Sequence, residues 1–299
     1  TAQVKNAGIH TQAVSLSGAA ANNYQVGNVS VTVGKFTLTV NQSGTLTYNG
    51  SLQTVSLSIN KFGDDDVTAS TAQVKNAGSY SEAVNLSGTA ANNYQVSGNV
   101  SITVDKFTLT VNQSGTLTYN GALQNVPLSI NKFGNDDVTA STDQVKNATS
   151  YSQDVTLSGD DKDNYQVLAQ VEIEVKPYAL NLSQVNTPIY NGAAQQIKFN
   201  ADFQGDDATQ GWTTYVMMTN VGTTDMTVTI PSGSVGNYII PTVSPTMTPK
   251  TLTVNQDGTM TYNGSLQNVP LTIIGIEGTD DVTASTAQVK DAKSYSQAV

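Results

Sequence analysis

Apolar and polar residues alternate along most of this chain with a period of two. In Phe36-Thr37-Leu38-Thr39-Val40 the apolar side chains are separated by threonines, and Val55, Leu57 and Ile59 are separated by serines. Val84 and Leu86 share a face, and Tyr94, Val96, Val100, Ile102 and Val104 make a last strand or pair of strands, broken at Ser97-Gly98-Asn99. A period of two sends successive side chains to opposite faces of a strand, and Val, Thr and Tyr suit a pleated, half-buried surface. Between these runs Asn49-Gly50 is a turn signal, since both residues tolerate positive φ. Phe62-Gly63-Asp64-Asp65-Asp66 reads as a polar loop, 87–93 as a second loop, and 71–78 as a short strand or one helical turn. No segment keeps a 3.6-residue period for three turns, so the pattern predicts an all-β protein.

The pattern recurs. The stretch 106–119, KFTLTVNQSGTLTY, followed by Asn120-Gly121, occurs almost unchanged at 35–50, with small changes at 251–264, and in degenerate form at 177–192. The tyrosines of the Tyr-Asn-Gly triplets, Tyr48, Tyr119, Tyr190 and Tyr262, are spaced 71, 71 and 72 residues apart. Self-similarity at a fixed period is the signature of a repeat architecture. The expected division is a C-terminal half of a repeat at 1–34, full repeats at 35–105 and 106–176, a divergent repeat at 177–249, and an N-terminal half at 250–299. A chain that opens and closes inside a repeat reads as a segment of something longer.

Six or seven short strands in about 71 residues predict small antiparallel Ig-like β-sandwich units in tandem; a β-grasp unit would need a helix. The stretch 101–111, SITVDKFTLTV, keeps the strand pattern on both sides of Asp105-Lys106 with no Gly/Ser-rich or Pro-rich spacer. The last strand of one unit passes into the first strand of the next, so an elongated, stiff rod is expected. Pro177 and Pro249 stiffen two later joints. The divergent repeat holds six of the eight prolines, four of the five methionines and the only tryptophan, Trp212, yet keeps Tyr190-Asn191-Gly192 and Gly205-Asp206-Asp207.

Composition narrows the function. Cysteine is absent, so no disulfide or thiolate metal site exists, and a small unstapled unit depends on its neighbours for core. All 13 basic residues are lysine against 23 acidic ones, a net charge of −10. That surface repels nucleic acid and lacks the guanidinium fork that grips phosphate, so nucleic-acid binding is excluded. No apolar run approaches the roughly 20 residues that span a bilayer, so no membrane insertion is expected in this segment.

The ordered motifs resemble a known surface-protein repeat. They are Lys106-Phe107-Thr108-Leu109-Thr110-Val111, Thr118-Tyr119-Asn120-Gly121, Asp136-Asp137-Val138 and, in the preceding unit, Ala77-Gly78-Ser79-Tyr80, Leu86-Ser87-Gly88, Asn93-Tyr94 and Val100-Ser101-Ile102-Thr103-Val104. Together these are similar to the MBG/YDG-type repeats of large bacterial cell-surface proteins, over essentially the whole chain. Departures are Asn in place of Asp in the tyrosine turn, and Lys293 or Thr149 in place of the glycine before Ser-Tyr. The resemblance implies an extracellular repeat of an adhesin, stalk or fibre, and no catalytic residues.

Candidate chemistry is sparse. Asp64-Asp65-Asp66, Asp136-Asp137, Asp206-Asp207 and Asp280-Asp281 recur once per unit, but lack the spacing and bidentate glutamate of a calcium loop and read as solvated loops. A Lys–Asn isopeptide crosslink would draw on Lys35, Lys106 or Lys250 with Asn49, Asn120 or Asn263; no recurring glutamate accompanies them, so they read as surface residues. His10 is the only histidine, and Tyr80, Tyr151 and Tyr295 replace it in sister units, so it reads as a packing residue. Trp212 with Tyr215 offers a sugar-stacking platform or fills an altered core. Steps such as Thr37/Thr39 and Thr116/Thr118 read as the outward faces of ordinary strands. No catalytic triad or phosphate loop can be assembled. The expectation is no enzyme, with no catalytic, cofactor-binding or metal residues and no cofactor.

The expected function is structural: an extracellular region, on a bacterial surface or secreted, that spaces or assembles a surface structure. Its expected partners are neighbouring repeats and other copies of itself. Two alternatives stand beside this. One is an adhesive module whose repeats bind a glycan or host protein. The other is a head-to-tail filament in which the half-repeats complement each other, against which stands their redundant 14-residue overlap.

Overall fold

A computed structural model describes residues 3–299, the side chain of Ser232 excepted, so the first two residues of the opening half-repeat lie outside it. The described residues are all-β. Their helical pieces are 3-10 turns of three to six residues, such as Ala91–Asn93 and Ser232–Asn237. The chain divides into two compact units. One holds the chain up to Ser114 with Val126–Asp143 and Ser152–Ile173; the other holds Gly115–Asn125, Gln144–Tyr151 and Glu174–Val299.

In the first unit, the stretch 35–105 shows the construction. Its expected first strand is split. Phe36–Leu38 pairs with Tyr94–Val96 in parallel, and Val40–Gln42 pairs with Leu57–Ile59 antiparallel. The break falls at Thr39, whose N–H is taken by the Asn60 side chain at 2.7 Å. The same bond, Thr110 to Asn131 at 2.7 Å, marks the break in the next copy. A backbone donor released from one ladder is thus held while the strand passes to another.

Leu46–Thr47 lies parallel to the end of Val100–Asp105, and that strand pairs antiparallel with Gly78–Glu82 on its other side. The sheets are therefore mixed, which corrects the expectation of purely antiparallel units. Parallel neighbours need a long connection, and the body of the copy between residues 47 and 100 supplies one. The Asn49-Gly50 turn likewise does not close a hairpin, because the strand before it pairs with the end of its own copy. Thr68–Ser70, paired with Asn85–Ser87, is a strand that alternation did not predict, since only Ala69 faces inward.

The core follows the alternation. Val100, Ile102 and Val104 point inward with 4, 0 and 2% of their surface exposed, between exposed Ser101, Thr103 and Asp105. Burying each such side chain contributes about 1.5–3 kcal/mol. They pack with Tyr48, Val55 and Val74, while Leu38, Val67 and Tyr94 form a second cluster.

In the second unit, the divergent stretch pairs more extensively. Gln195–Ala201 lies between Leu182–Gln184 and Thr214–Met218 in an antiparallel three-stranded sheet. Met218 and Met247 are buried with Ile197, Val216 and Tyr238, so the methionines fill the altered core. Tyr178–Ala179 again runs parallel to a late strand, Tyr238–Ile239.

The loop from Leu86-Ser87-Gly88 is anchored by Asp66. Its carboxylate accepts the Thr89 N–H at 2.8 Å and the Thr89 hydroxyl at 3.0 Å, which together hold its pKa below the usual carboxylate value. Gly88 has φ +109°, and a methyl there would stand 2.3 Å from the Asp66 carbonyl oxygen. Gly88→Ala is expected to lower the melting temperature clearly more than Gly98→Ala, because Gly98 has φ +84° but nothing within 4 Å of an added methyl. Thermal melts of the two variants check this.

Candidate functional site: a tyrosine–aspartate joint

The tyrosine of each Tyr-Asn-Gly triplet is set in place by its own copy. Tyr48 N–H bonds the Asp105 carbonyl at 2.8 Å, and Tyr119 N–H bonds that of Lys176 at 2.8 Å. The following asparagine folds back on the backbone: Asn49 Oδ1 accepts the Ser51 N–H at 3.0 Å, and Asn120 that of Ala122 at 3.0 Å. This turn leaves the tyrosine ring inside, with Tyr48 and Tyr119 only 1 and 2% exposed.

Each ring's hydroxyl then reaches the next copy. In the first unit, Tyr48 donates to Asp136 Oδ2 at 2.5 Å. In the second, Tyr119 donates to Asp207 at 2.7 Å and Tyr190 to Asp280 at 2.6 Å. These partners are 88, 88 and 90 residues apart, more than one period, so each bond joins consecutive copies.

The same carboxylate serves its own copy. Asp136 also accepts Tyr165 at 2.5 Å, Asp207 accepts Tyr238 at 2.8 Å, and Asp65 accepts Tyr94 at 2.6 Å. The own-copy hydroxyls accept backbone N–H groups in turn, from Phe62 to Tyr94, Phe133 to Tyr165 and Gln204 to Tyr238, at 3.0–3.1 Å. Around the carboxylate the rings meet edge to face, Tyr48 to Tyr165 at 5.4 Å and Tyr119 to Tyr238 at 5.3 Å.

Electrostatics follow from this arrangement. Burial pushes the Tyr165 hydroxyl up to about 12, helped by its bond to Asp136. Burial also raises Tyr119 to about 12, again with the Asp207 bond, and raises Tyr48 and Tyr238 further still. Burial works against the Asp136 carboxylate too, but the hydrogen bonds from Tyr165 and Tyr48, with Lys75 and Lys132 nearby, outweigh it and lower its pKa.

A second strut recurs beside the first. The asparagine before the own-copy tyrosine accepts an alanine N–H of the preceding copy: Ala7 to Asn93 at 2.8 Å and Ala77 to Asn164 at 2.9 Å in the first unit, Ala148 to Asn237 at 2.8 Å in the second. The joint is also close. A methyl on Gly121, at φ +76°, would lie 2.3 Å from the Gln204 carbonyl oxygen, so only glycine fits there.

One part of the joint varies. Phe36 and Phe62 meet tilted, with centroids 4.4 Å apart and planes at 59°, and Phe107 and Phe133 do so at 4.5 Å and 60°. At the corresponding places in the last copy, Lys250 and Glu277 form an ion pair.

One expectation is corrected here. The aspartate pairs are not merely solvated loops: Asp65, Asp136, Asp207 and Asp280 are tyrosine acceptors, while the neighbouring Asp66 anchors a turn. Lys35, Lys106, Asn49 and Asn120 are exposed, so the buried Lys–Asn geometry of an isopeptide bond is missing. Trp212 is half-buried edge-on against Phe203 at 5.0 Å, and Phe203 packs on Tyr238, so the tryptophan extends an aromatic core. His10 bonds the Asn6 carbonyl oxygen at 2.8 Å, as Tyr80 and Tyr151 bond those of Asn76 and Asn147. The one signal the sequence offered was recurrence: a Tyr-Asn-Gly tyrosine and an aspartate pair stand at matching places in 35–105, 106–176, 177–249 and 250–299.

No known protein family matches the chain, and no curated protein matches it. Among solved structures it is similar to the Escherichia coli adhesin FdeC, at 10% identity over 72% of this chain and 97% of that one, with a TM-score of 0.21. A likeness of that size fixes neither fold nor function.

Tyr48→Phe removes one of two donors to a carboxylate and is expected to cost about 1–2 kcal/mol in chemical denaturation, with the native strand content kept in circular dichroism. The pH dependence has two edges. Asp136 has a depressed folded pKa, so its stabilisation is present above about pH 4 and is lost as pH falls below that. Tyr119 and Tyr165 have raised folded values, so theirs is full below about pH 10 and is lost as pH climbs towards 12. Melting temperatures between pH 2 and pH 12 should show a plateau falling at both ends, and tyrosinate absorbance should rise in step with the alkaline fall.

Proposed function

We propose that the chain is a non-catalytic structural region of an extracellular bacterial surface protein, a stalk, adhesin or fibre segment built from tandem Ig-like sandwiches at 35–105, 106–176 and 177–249 with half-units at 1–34 and 250–299. Its task on this reading is to space a binding region or to build a surface structure. The observation that carries it is the joint: a tyrosine of one copy bonded to an aspartate of the next, at Tyr48–Asp136, Tyr119–Asp207 and Tyr190–Asp280. A joint with a hydrogen bond between copies, part-buried and flanked by edge-to-face rings at Tyr48 and Tyr119, and no flexible spacer resists bending, which suits a spacer more than a hinged receptor. The ordered motifs shared with MBG/YDG-type repeats support the same reading. So does the net charge of −10, which keeps long chains apart. Among the described residues no helix is long and apolar enough to cross a membrane.

The adhesive alternative draws on Trp212 in the divergent copy. Small-angle scattering of the full chain, with a glycan array beside it, separates the two. An elongated envelope without saturable glycan binding is expected, and Tyr119→Phe should broaden the distribution of lengths. Saturable binding that disappears in Trp212→Ala would transfer the function to the repeats themselves.

A further inference from the structure

Asn-Gly occurs in this chain at Asn49, Asn120, Asn191 and Asn263 and nowhere else, each time directly after the tyrosine of the triplet. The pair has a reactivity of its own. Glycine has no Cβ to obstruct its amide nitrogen, and its freedom of rotation lets that nitrogen reach the carbonyl carbon of the preceding side chain. Asparagine is thermolabile for this reason. An aspartate would accept the same backbone N–H and make the same turn, so the turn by itself does not call for an amide.

Asn49, Asn120 and Asn191 stand where two copies meet. Their carboxamides are exposed, so ammonia can leave and water can enter. The glycines that follow are not free. A methyl on Gly50, at φ +77°, would stand 2.8 Å from Phe133 Cβ, one on Gly121 2.3 Å from the Gln204 carbonyl oxygen, and one on Gly192 3.0 Å from Glu277 Cβ. Each of these contacts is made by the next copy. The turn is also clamped across its base: Gln53 Nε2 donates to the Thr47 carbonyl oxygen at 3.0 Å, Gln124 to that of Thr118 at 3.1 Å, and Gln195 to that of Ile189 at 2.9 Å. The asparagine Oδ1 is held as well, by the N–H of Ser51, Ala122 or Ala193 at 3.0–3.1 Å. The reacting amide is therefore open to solvent, while the attacking nitrogen is held in place by the neighbouring copy.

We propose that the Asn-Gly pair of each joint is a self-modification site gated by the joint itself. When the copies part, the Gly50 nitrogen attacks Asn49 Cγ. The new N–Cγ bond forms as the Cγ–Nδ2 bond breaks, the glycine amide proton passes to the departing nitrogen, and ammonia leaves. Water then opens the cyclic imide at one of its two carbonyls. Opening at the side-chain carbonyl gives aspartate; opening at the main-chain carbonyl gives isoaspartate, which lengthens the main chain by a methylene. Asn120 and Asn191 react in the same way. Beside Gly121 the longer chain has no room, since even a methyl would meet Gln204. The joint closes again over aspartate and stays open over isoaspartate, which turns a transient parting of copies into a permanent one. This chemistry stands whether the repeats act as spacers or as binding modules, so its failure leaves that reading untouched.

Peptide mapping by mass spectrometry during incubation of the full chain at mildly alkaline pH tests the proposal. Asn49, Asn120 and Asn191 should each gain about one dalton. They should convert at least about tenfold more slowly in the folded chain than in the chain unfolded by urea. Asp136→Ala removes the acceptor of Tyr48 and should speed Asn49 about five- to thirtyfold while Asn120 keeps its rate. Asp207→Ala should do the reverse. Circular dichroism checks that both variants keep their strand content; for a variant that loses it, the folded-to-unfolded ratio in the parent chain decides. Chains carrying isoaspartate at position 120 should melt below Asn120→Asp, which has the same charge without the added methylene. Conversion as fast in the folded chain as in urea, variants that speed both sites alike, or isoaspartate chains that melt like Asn120→Asp would each overturn the proposal.

Discussion

A carboxylate with two phenols on it organises this protein. Asp136 cannot be buried among rings as a bare charge, and two tyrosine rings cannot bury their hydroxyls without acceptors. Bringing Tyr48 from one copy and Tyr165 from its own copy to a single oxygen meets both requirements together. Burial and hydrogen bonding thereby support each other, since closing the aromatic cluster around the carboxylate strengthens the bonds it accepts. The consequence is cooperative: the Tyr48 hydroxyl finds its acceptor only in the next copy, so folding of one supports folding of the other.

The rest of the joint arranges itself around that requirement. The asparagine of the triplet turns the backbone, the glycine lets the next copy's loop approach, and the Asn–Ala strut prevents rotation about the tyrosine bond. The neighbouring Asp66 and Asp137 work inside their own copies, holding the turn after Leu-Ser-Gly. In these two copies adjacent identical residues do different work, Asp65 and Asp136 taking tyrosine hydroxyls and Asp66 and Asp137 taking backbone donors. What changes between copies is also instructive. The aromatic pair at Phe36–Phe62 and Phe107–Phe133 becomes an ion pair at Lys250–Glu277, while Tyr190 and Asp280 are retained. Packing at the rim of a joint can be supplied in several ways, but the buried donor and acceptor have few substitutes.

Asp65, Asp66, Asp136, Asp207 and Asp280 have oxygens committed to hydroxyl or amide donors, and Asp206 faces Lys146. The lone histidine occupies a tyrosine's place and makes the tyrosine's bond. The tryptophan completes the aromatic packing of a copy that has lost the Phe133 equivalent to Gln204.

Much was legible in the chain itself. The period of two in Val100-Ser101-Ile102-Thr103-Val104 gave the buried face correctly, because side-chain direction in a strand is a local property. The loop at 62–66 and, among the described residues, the absence of long helices were local too. What sequence could not supply was partnership. The alternation at 36–40 is the same whether those residues pair with one strand or divide between two, and only the Asn60 side chain at Thr39 marks the division. Tyr48 and Asp136 are 88 residues apart, and nothing in either neighbourhood names the other. Strand order, parallel pairing and the shared carboxylate were decided by tertiary structure, because they depend on which buried polar groups can satisfy one another once the chain has closed.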